Sequence, residues 1–353
     1  MRASSTSSVA LLSVATAVPP TVLTQDEAKQ FARTLFGART SHFEALAPVF
    51  DNAGIATRHI VRPREWYEGD HGWKIRNRVY LEAAEALYVE AAEKALDRAG
   101  VAAAEVDTLV TVSTTGIATP SIEARVAGRM GFRGDAERVP IFGLGCAGGV
   151  GGLATAARLV AGEAGRTALF VAVELCSTSI RLDKLSKANI VATALFGDGA
   201  AACVLRAGEK GVAQVEGSGE ILWPDTLGIM GWDVEDPGLG VIFDRAIPPF
   251  VEDRMEDGVR QILQRIGIGR DDVDRFTCHP GGAKVIAALE QSLQLDAGTL
   301  DHERSVLRDY GNMSAPTVLF VLERLLAEGM PERTLLLALG PGFTASGLSL
   351  ARP

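Results

Sequence analysis

This chain is written twice. The segment ALDRAGVAAAEVDTLVT, residues 95–111, reappears as ILQRIGIGRDDVDRFTC at 262–278. Leu96, Arg98, Gly100, Val106 and Asp107 each have a counterpart at one constant spacing, at Leu263, Arg265, Gly267, Val273 and Asp274. Further along, Arg166-Thr167-Ala168-Leu169 matches Arg333-Thr334-Leu335-Leu336 at that same spacing. One block can match by chance; two blocks in one register point to duplication. Each copy has the same grammar: helix, Gly stop, Val-Asp, buried strand, Gly-rich turn, very apolar helix, then Arg-Thr and another buried strand. The expected fold class is therefore α/β, with duplicated βαβαβ-type halves stacked in a layered αβαβα arrangement about a pseudo-dyad. Segments 147–163 and 314–328 are apolar around most of their circumference and belong between the sheets. Gly, Glu and Lys cluster near 207–220, which divides the chain into halves 1–210 and 211–353.

Outside the repeat, Val9 to Val18 reads as a strand stopped by Pro19-Pro20, in preference to a signal-peptide core behind Arg2. Thr24 and Glu27 carry a capping-box signature. The stretch from Arg58 to Arg78, rich in Arg, Trp and Tyr, reads as irregular surface, and a long amphipathic helix from Val79 to Arg98 stops at Gly100. Composition excludes several classes. A formal net charge of -9 without a basic run argues against nucleic acid or an anionic membrane as partner. No apolar run reaches the ~18 residues that a membrane-spanning helix needs. Four cysteines without a CxxC pair make neither a disulfide scaffold nor a zinc ribbon, and fit a reducing cytoplasm.

The repeat also locates chemistry. Carried forward by the spacing that takes Gly100 to Gly267, Cys146 lands on Met313, beside Asn312. Both lie at a Gly-rich entrance to an apolar helix, GLGCAGG in one half and YGNMSAP in the other, and His279 follows the strand Arg275–Cys278. A pseudo-dyad that joins the entrances gathers a Cys, a His and an Asn at the molecular centre. A thiolate at a helix N-terminus is favoured by the dipole and further by an imidazolium, which makes an activated nucleophile. His279 Nε2–H and the Asn312 amide can donate to one carbonyl oxygen and so hold an enolate or a tetrahedral oxyanion. Cys176, Cys203 and Cys278 read as packing residues. His42, His59, His71 and His302 lie in polar segments that look exposed, and are assigned no role. Gly143, Gly145 and Gly148 satisfy GxGxxG, but the following acid, Glu163, falls near a helix end and not at the tip of a second strand, so dinucleotide binding is rejected.

GLGCAGG, LFGDGAA (195–201), CHPGG, GNMSAPTV and GPGF (340–343) together resemble the chalcone and stilbene synthase family, the type III polyketide synthases, over nearly the whole chain. The resemblance implies a thiolase-like fold and a homodimer. It implies no metal and no redox cofactor, with malonyl-CoA and an acyl-CoA as substrates. It makes Cys146 the acyl acceptor, and His279 with Asn312 the decarboxylation and oxyanion pair. Phe196 matches the gatekeeper aromatic between tunnel and cavity, and Trp232, in MGWDVED, falls about where a second is expected. Ser314 matches a serine beside the catalytic Asn that helps direct ring closure. Gly340, Pro341, Gly342 and Phe343 match the loop that shapes the cyclisation cavity. Cys176 and Ser179 fall on the cavity-lining stretch after Glu174, and Thr119 on the loop that reaches across the dimer interface.

One stretch departs from the family pattern. Plant members carry a Lys/Arg cluster near the tunnel mouth for the CoA phosphates, whereas Leu46 to Arg58 here holds no Lys and only Arg58. That leaves an acyl-carrier-protein donor open. Cys176, Ser179 and Thr119 are small, as in bacterial members that take long-chain starters. The expected reaction is an iterative decarboxylative Claisen condensation of malonyl-CoA onto a fatty acyl starter held on Cys146, ending in an alkylpyrone or alkylresorcinol. The alternative is a single-round ketoacyl-acyl-carrier-protein synthase of the initiating type. A catalytically silent acyl-binding protein of the same fold is the reading outside enzymes, and the intact Cys146, His279 and Asn312 argue against it.

Overall fold

The computed structural model describes residues 8–37, 43–181, 183–184 and 186–353, so Arg2 and His42 lie outside the described residues. Nine strands form one mixed sheet. Across it the order is Arg275–Cys278, Arg333–Gly340, Thr344–Ala351, Ala213–Leu222, Val9–Ala17, Asp198–Ala207, Thr167–Leu175, Thr108–Val112 and Glu137–Ile141. The two parts of the chain meet in the middle, where Val9, Ala10 and Leu11 pair antiparallel with Val215, Gln214 and Ala213. Outward from this seam both sides repeat one series of pairings: antiparallel, antiparallel, parallel. The first side then adds one more parallel strand, Glu137–Ile141, at the edge.

The duplication is visible bond by bond. Helices Trp73–Ala99 and Ile247–Ile266 both end on a left-handed glycine, Gly100 at φ 64° and Gly267 at φ 87°, a conformation that glycine adopts without a Cβ penalty. Beyond these stops, the Glu105 carboxylate accepts the Ala102 N–H at 2.8 Å and Asp272 accepts the Gly269 N–H at 2.7 Å. Asp107 and Asp274 next accept a backbone N–H from the neighbouring strand, at Thr167 (2.8 Å) and Arg333 (2.7 Å). Here the register slips. Thr108 faces Ala168 while Arg275 faces Thr334, so the structural counterpart of Ala168 is Thr334 and not Leu335, the residue that the sequence repeat pairs with it.

Helices Gly148–Val160 and Thr317–Glu328 occupy the middle layer and pack on strands from both sides of the seam. Val150, Leu153, Val160, Val318, Leu319 and Leu322 are fully buried there. Each such side chain contributes about 1.5–3 kcal/mol by burial, more than a surface ion pair at ~0–1 kcal/mol. The Trp73–Ala99 helix covers the outer face on one side, and Ile247–Ile266 with Ala283–Ser292 covers it on the other, which completes the αβαβα layering. The first central helix touches the turn that enters the second: a Cβ on Gly149 would stand 2.2 Å from Ala315 O. This contact is what brings the two helix entrances together.

Several sequence expectations are corrected. The long helix begins at Trp73, not Val79. Its first residue is anchored by Trp73 Nε1–H donating to Glu235 O at 2.7 Å, in the hairpin Met230–Glu235/Gly238–Phe243. The stretch from Arg58 to Arg78 is not irregular surface. It contains strand Thr57–Ile60 and a 3₁₀ turn over Arg64–Glu68, and Arg58, Tyr67 and Arg76 are buried. Buried charge is tolerable only where hydrogen bonds replace water; Arg76 Nη1 donates to Thr178 O and Ile180 O at 2.7 and 2.8 Å. His59, His71 and His302 are likewise half-buried and not exposed. Thr24 and Glu27 close the capping box, at 2.8 and 3.2 Å. Among the described residues no helix is long and apolar enough to cross a membrane.

Candidate active site

Both helix entrances are built from backbone that ordinary residues avoid. In the first, Gly143 (φ 94°) and Gly145 (φ 47°) turn the chain from the edge strand into a 3₁₀ turn over Gly145–Ala147 that feeds the central helix. Gly145 has no room for a side chain, since its Cβ would stand 2.7 Å from Pro341 Cδ. In the second, Gly311 (φ 68°) precedes Asn312, and Ser314 itself is left-handed at φ 59°. A non-glycine residue held there stores strain, which folds concentrate at functional sites. Thr317 Oγ1 secures this turn by accepting the Met313 N–H at 3.0 Å and donating to Ser314 O at 2.8 Å. Met313, the repeat partner of Cys146, is fully buried in the core, while its neighbours Asn312 and Ser314 face the cavity.

Cys146, His279 and Asn312 line one cavity, together with Ser314, Cys176, Phe196, Trp232 and Pro341. The Cys146 thiol donates to Ser314 Oγ at 3.5 Å. Asn312 Oδ1 accepts the Ser314 N–H at 2.8 Å, and its Nδ2 donates to Gly281 O at 3.1 Å. These two bonds assign the amide orientation and leave a second Nδ2–H. His279 extends the parallel ladder past Cys278, its N–H donating to Leu337 O at 2.7 Å. The residue is 5% exposed, and neither ring nitrogen has a hydrogen-bond partner. Leaving a buried polar group unpaired costs about 1–3 kcal/mol, so an imidazole kept this way on a cavity wall is poised for a ligand.

Desolvation dominates the electrostatics. Cys146 is half-buried as a residue, but protein surrounds its sulfur. That burial pushes the thiol up to about 12; the Ser314 hydrogen bond pulls it back, and the Glu174 carboxylate pushes it further. Burial alone pushes His279 down to about 3. Both shifts favour the uncharged forms, a thiol and a neutral imidazole, over the thiolate–imidazolium pair that the helix entrance suggests. The magnitudes decide this: a thiol raised from 9.0 to about 12 corresponds to about 4 kcal/mol, against ~0.3–1 kcal/mol from a helix dipole. Glu174 was not singled out by sequence reasoning. It accepts the Thr114 N–H at 2.9 Å and the Thr115 hydroxyl at 2.8 Å, and burial brings it up to about 7. Its signal was legible as the single charge in the apolar strand TALFVAVEL.

The remaining residues divide. Phe196 and Trp232 face each other across the cavity wall, ring centroids 5.9 Å apart. Thr119 is exposed, near Ile117 (54% exposed), and lies outside its own chain's cavity, as a loop expected to reach across a dimer interface would. Ser179 is buried, but its hydroxyl donates to Cys176 O at 2.6 Å and it faces a separate crevice with Trp73 and Arg76. Of the GPGF loop only Pro341 reaches the cavity. Gly340 backs the cysteine turn, where a Cβ would stand 2.5 Å from Leu144 O; Gly342 turns the loop at φ 77°; Phe343 is buried against Phe250 at 4.7 Å. The hairpin supplies a wall that sequence reasoning missed, with Met230, Val241 and Phe243. The cavity has a volume of about 50 Å³, room for a few waters or a short acyl group at the ~10–15 Å³ that one water needs.

The duplicated halves and the thiol at their junction define an acyltransferase of thiolase-like fold. Residues 1–209 match the model for chalcone and stilbene synthases, N-terminal domain, and residues 214–352 that for the C-terminal domain. The chain belongs to the chalcone and stilbene synthase family and is a type III polyketide synthase. It is 40% identical over 343 residues to a 1,3,6,8-tetrahydroxynaphthalene synthase of Streptomyces peucetius subsp. caesius, covering 94% of this chain and 90% of that protein. The crystal structure of the 1,3,6,8-tetrahydroxynaphthalene synthase of Streptomyces coelicolor A3(2) superposes with a TM-score of 0.92 at 31% identity, over 97% of this chain and 99% of that one. PKS-I from the brown alga Ectocarpus siliculosus also gives a TM-score of 0.92, at 25% identity and 100% of both chains.

Proposed function

We propose that Cys146 carries the growing acyl chain and that His279 and Asn312 hold the malonyl carbonyl. Loading transfers an acyl group from CoA to Cys146: the Sγ–C bond forms, the bond between the acyl carbon and the CoA sulfur breaks, and the thiol proton ends on the sulfur of the released CoA. Malonyl-CoA then loses CO2, and the electron pair of the broken C–C bond passes into an enolate. His279 Nε2–H and the free Asn312 Nδ2–H donate to its oxygen. The enolate carbon attacks the Cys146 thioester, Cys146 leaves as a thiolate, and the lengthened chain on CoA is recaptured for another round. Electrons move only among carbon, sulfur and oxygen, so the scheme uses no metal and no redox cofactor. The observation that carries it is a buried, unpartnered His279 beside an oriented Asn312, both lining the Cys146 cavity. Because burial holds His279 neutral, it donates without giving up a proton to the enolate.

For the starter, the alkyl-free naphthalene named in Streptomyces relatives supports a short acyl unit, with malonyl-CoA its own primer. The product proposed is a polyhydroxylated aromatic such as 1,3,6,8-tetrahydroxynaphthalene, the compound named in Streptomyces relatives. Ser179, one of the three small residues that suggested a long tunnel, faces a separate crevice, which weakens the fatty acyl reading. That reading keeps one support, the apolar wall of Met230, Val241, Ile247 and Leu339. A homodimer fits the exposed Ile117 and Phe142 (63% exposed) near the unpaired edge strand Glu137–Ile141. Product mass from malonyl-CoA alone, and with starters from acetyl-CoA to long-chain acyl-CoA and acyl-carrier protein, tests these readings. Polyketide from malonyl-CoA alone supports the short starter. Polyketide only with long-chain acyl groups overturns it and leaves an alkylpyrone or alkylresorcinol synthase. A single condensation marks the initiating ketoacyl-synthase alternative.

A further inference from the structure

Arg58 is the one cation in the stretch where the family's CoA-binding cluster is expected, yet it is 1% exposed and cannot meet a phosphate. Its guanidinium points instead at the C-terminal end of helix Lys187–Leu195. Nη1 donates to Thr193 O at 2.8 Å and Phe196 O at 3.3 Å, and Nη2 to Ala194 O at 2.9 Å. The last carbonyls of a helix have no intrahelical partner, and positive charge is favourable there.

The carbonyls of that terminus lead to Asn312, and Ala194 O alone among them takes a second side chain, Gln25 Nε2–H at 3.2 Å. Ala192 O takes the Phe196 N–H at 2.9 Å. Thr193 O, Ala194 O and Phe196 O take Arg58. Leu195 O takes the Asn312 N–H at 2.9 Å, and Asn312 O in turn accepts the Gly197 N–H at 3.0 Å. The backbone of Asn312 is therefore paired, on both its N–H and its C=O, with the residues flanking Phe196. Arg58 lies directly beneath: a Cβ on Gly197 would stand 3.3 Å from Arg58 Cβ, and one on Gly311 3.6 Å. Among the described residues Arg58 has no ion-pair partner. Asp198 acts on it at longer range and is itself bonded to Ser177 N–H and Val61 N–H at 2.7 and 2.9 Å.

We propose that Arg58 is a positioning residue for the decarboxylation step: by gathering the carbonyls of Thr193, Ala194 and Phe196 it fixes the backbone bridge that holds the Asn312 amide and the Phe196 ring at the cavity. This inference rests on the reading of Asn312 as an enolate donor. Arg58 touches no substrate and acts only through that bridge. A guanidinium is suited to the task because its planar fork spans several acceptors, whereas an ammonium is a point charge.

The test compares wild type, Arg58→Met, Arg58→Lys, Asn312→Ala and the double variant Arg58→Lys/Asn312→Ala. For each, malonyl-CoA decarboxylation, stoichiometric acylation of Cys146 and thermal unfolding are measured. Arg58→Met should lower decarboxylation by roughly 10- to 100-fold, the loss that a displacement of up to ~1 Å produces, while Cys146 still acylates to near stoichiometry. Arg58→Lys should fall between. In the Asn312→Ala background, Arg58→Lys should have no further effect, since both act on one group. Wild-type decarboxylation in Arg58→Met, equal proportional losses of loading and decarboxylation, or additive losses in the double variant would each overturn the proposal. If Arg58→Met does not fold, the Arg58→Lys cycle decides alone. Wild-type decarboxylation in Asn312→Ala would instead remove the reading of Asn312, a distinguishable failure.

Discussion

Replacing Gly149 with alanine tests whether the central helices must touch for the site to exist. The new Cβ would stand 2.2 Å from Ala315 O, 2.8 Å from Val318 Cγ1 and 3.2 Å from Ala315 C. A carbon and a carbonyl oxygen settle at about 3.3–3.6 Å, so the helices must part by about 1 Å. Overpacking of this kind costs about 1–3 kcal/mol, of which alanine's helix propensity returns up to about 1 kcal/mol. The functional loss should be larger. Gly149 follows Cys146 by less than one helical turn, and Ala315 is joined directly to Ser314. Parting the helices therefore lengthens the 3.5 Å contact between Cys146 Sγ and Ser314 Oγ and moves Asn312 with it. A misplacement of ~1 Å costs about 10²-fold in rate. The assay is polyketide formation from malonyl-CoA alongside thermal unfolding. The control is Gly128→Ala, inside helix Ile122–Met130, where an added Cβ meets nothing within 4 Å; its melting temperature should hold or rise. Gly149→Ala with wild-type melting and wild-type turnover would refute the claim that this contact sets the site.

Three further outcomes are expected. Asn312→Ala should lower malonyl-CoA decarboxylation by about 10²–10³, the usual cost of one oxyanion donor, while radiolabelled acyl groups still load onto Cys146; an unchanged rate removes Asn312 from the site. Burial of neutral His279 should make the fold acid-sensitive, because below its ordinary 6.5 the unfolded ring takes up a proton that the native ring, at about 3, refuses. Stability from this residue is present above pH 6.5 and lost as pH falls toward 3, so between pH 7 and 5 wild type should lose up to about 2 kcal/mol more than His279→Asn in urea titrations; parallel pH curves would contradict this. Trp232→Ala, which opens the wall facing Phe196, should shift a starter panel toward longer acyl chains, each buried methylene contributing about 0.8 kcal/mol; an unmoved profile places Trp232 outside the starter path.

Periodic features of this fold were readable from the sequence, and inward-facing exceptions were not. The constant spacing of the repeat located both left-handed stops, Gly100 and Gly267, because only glycine takes that conformation freely. It also pointed to Asn312, since the cysteine's repeat partner is the buried Met313 and the chain alternates about it. Arg58 and Arg76 were misread as surface because a lone sequence gives no sign that backbone carbonyls will replace water around a guanidinium. The wall formed by Met230, Val241 and Phe243 was missed for another reason: a short hairpin shows which residues alternate but not which face meets a cavity built from distant segments. Ser179 was placed on the cavity-lining stretch by resemblance, yet it bonds its own turn at Cys176 O. The helix entrance suggested a thiolate, whereas burial of the sulfur, a tertiary effect with no sequence signal, pushes the thiol the other way.

Chain growth in the proposed reaction runs through a thioester on Cys146. That thioester can be caught by intact and peptide mass spectrometry of enzyme quenched in acid within seconds of mixing with malonyl-CoA and an acyl-CoA. The expected result is an acyl adduct, and later polyketide adducts differing by two-carbon units, confined to the peptide that contains Cys146 and absent in Cys146→Ala. Product formation with no adduct on Cys146, or with the adduct on Cys176, would contradict it.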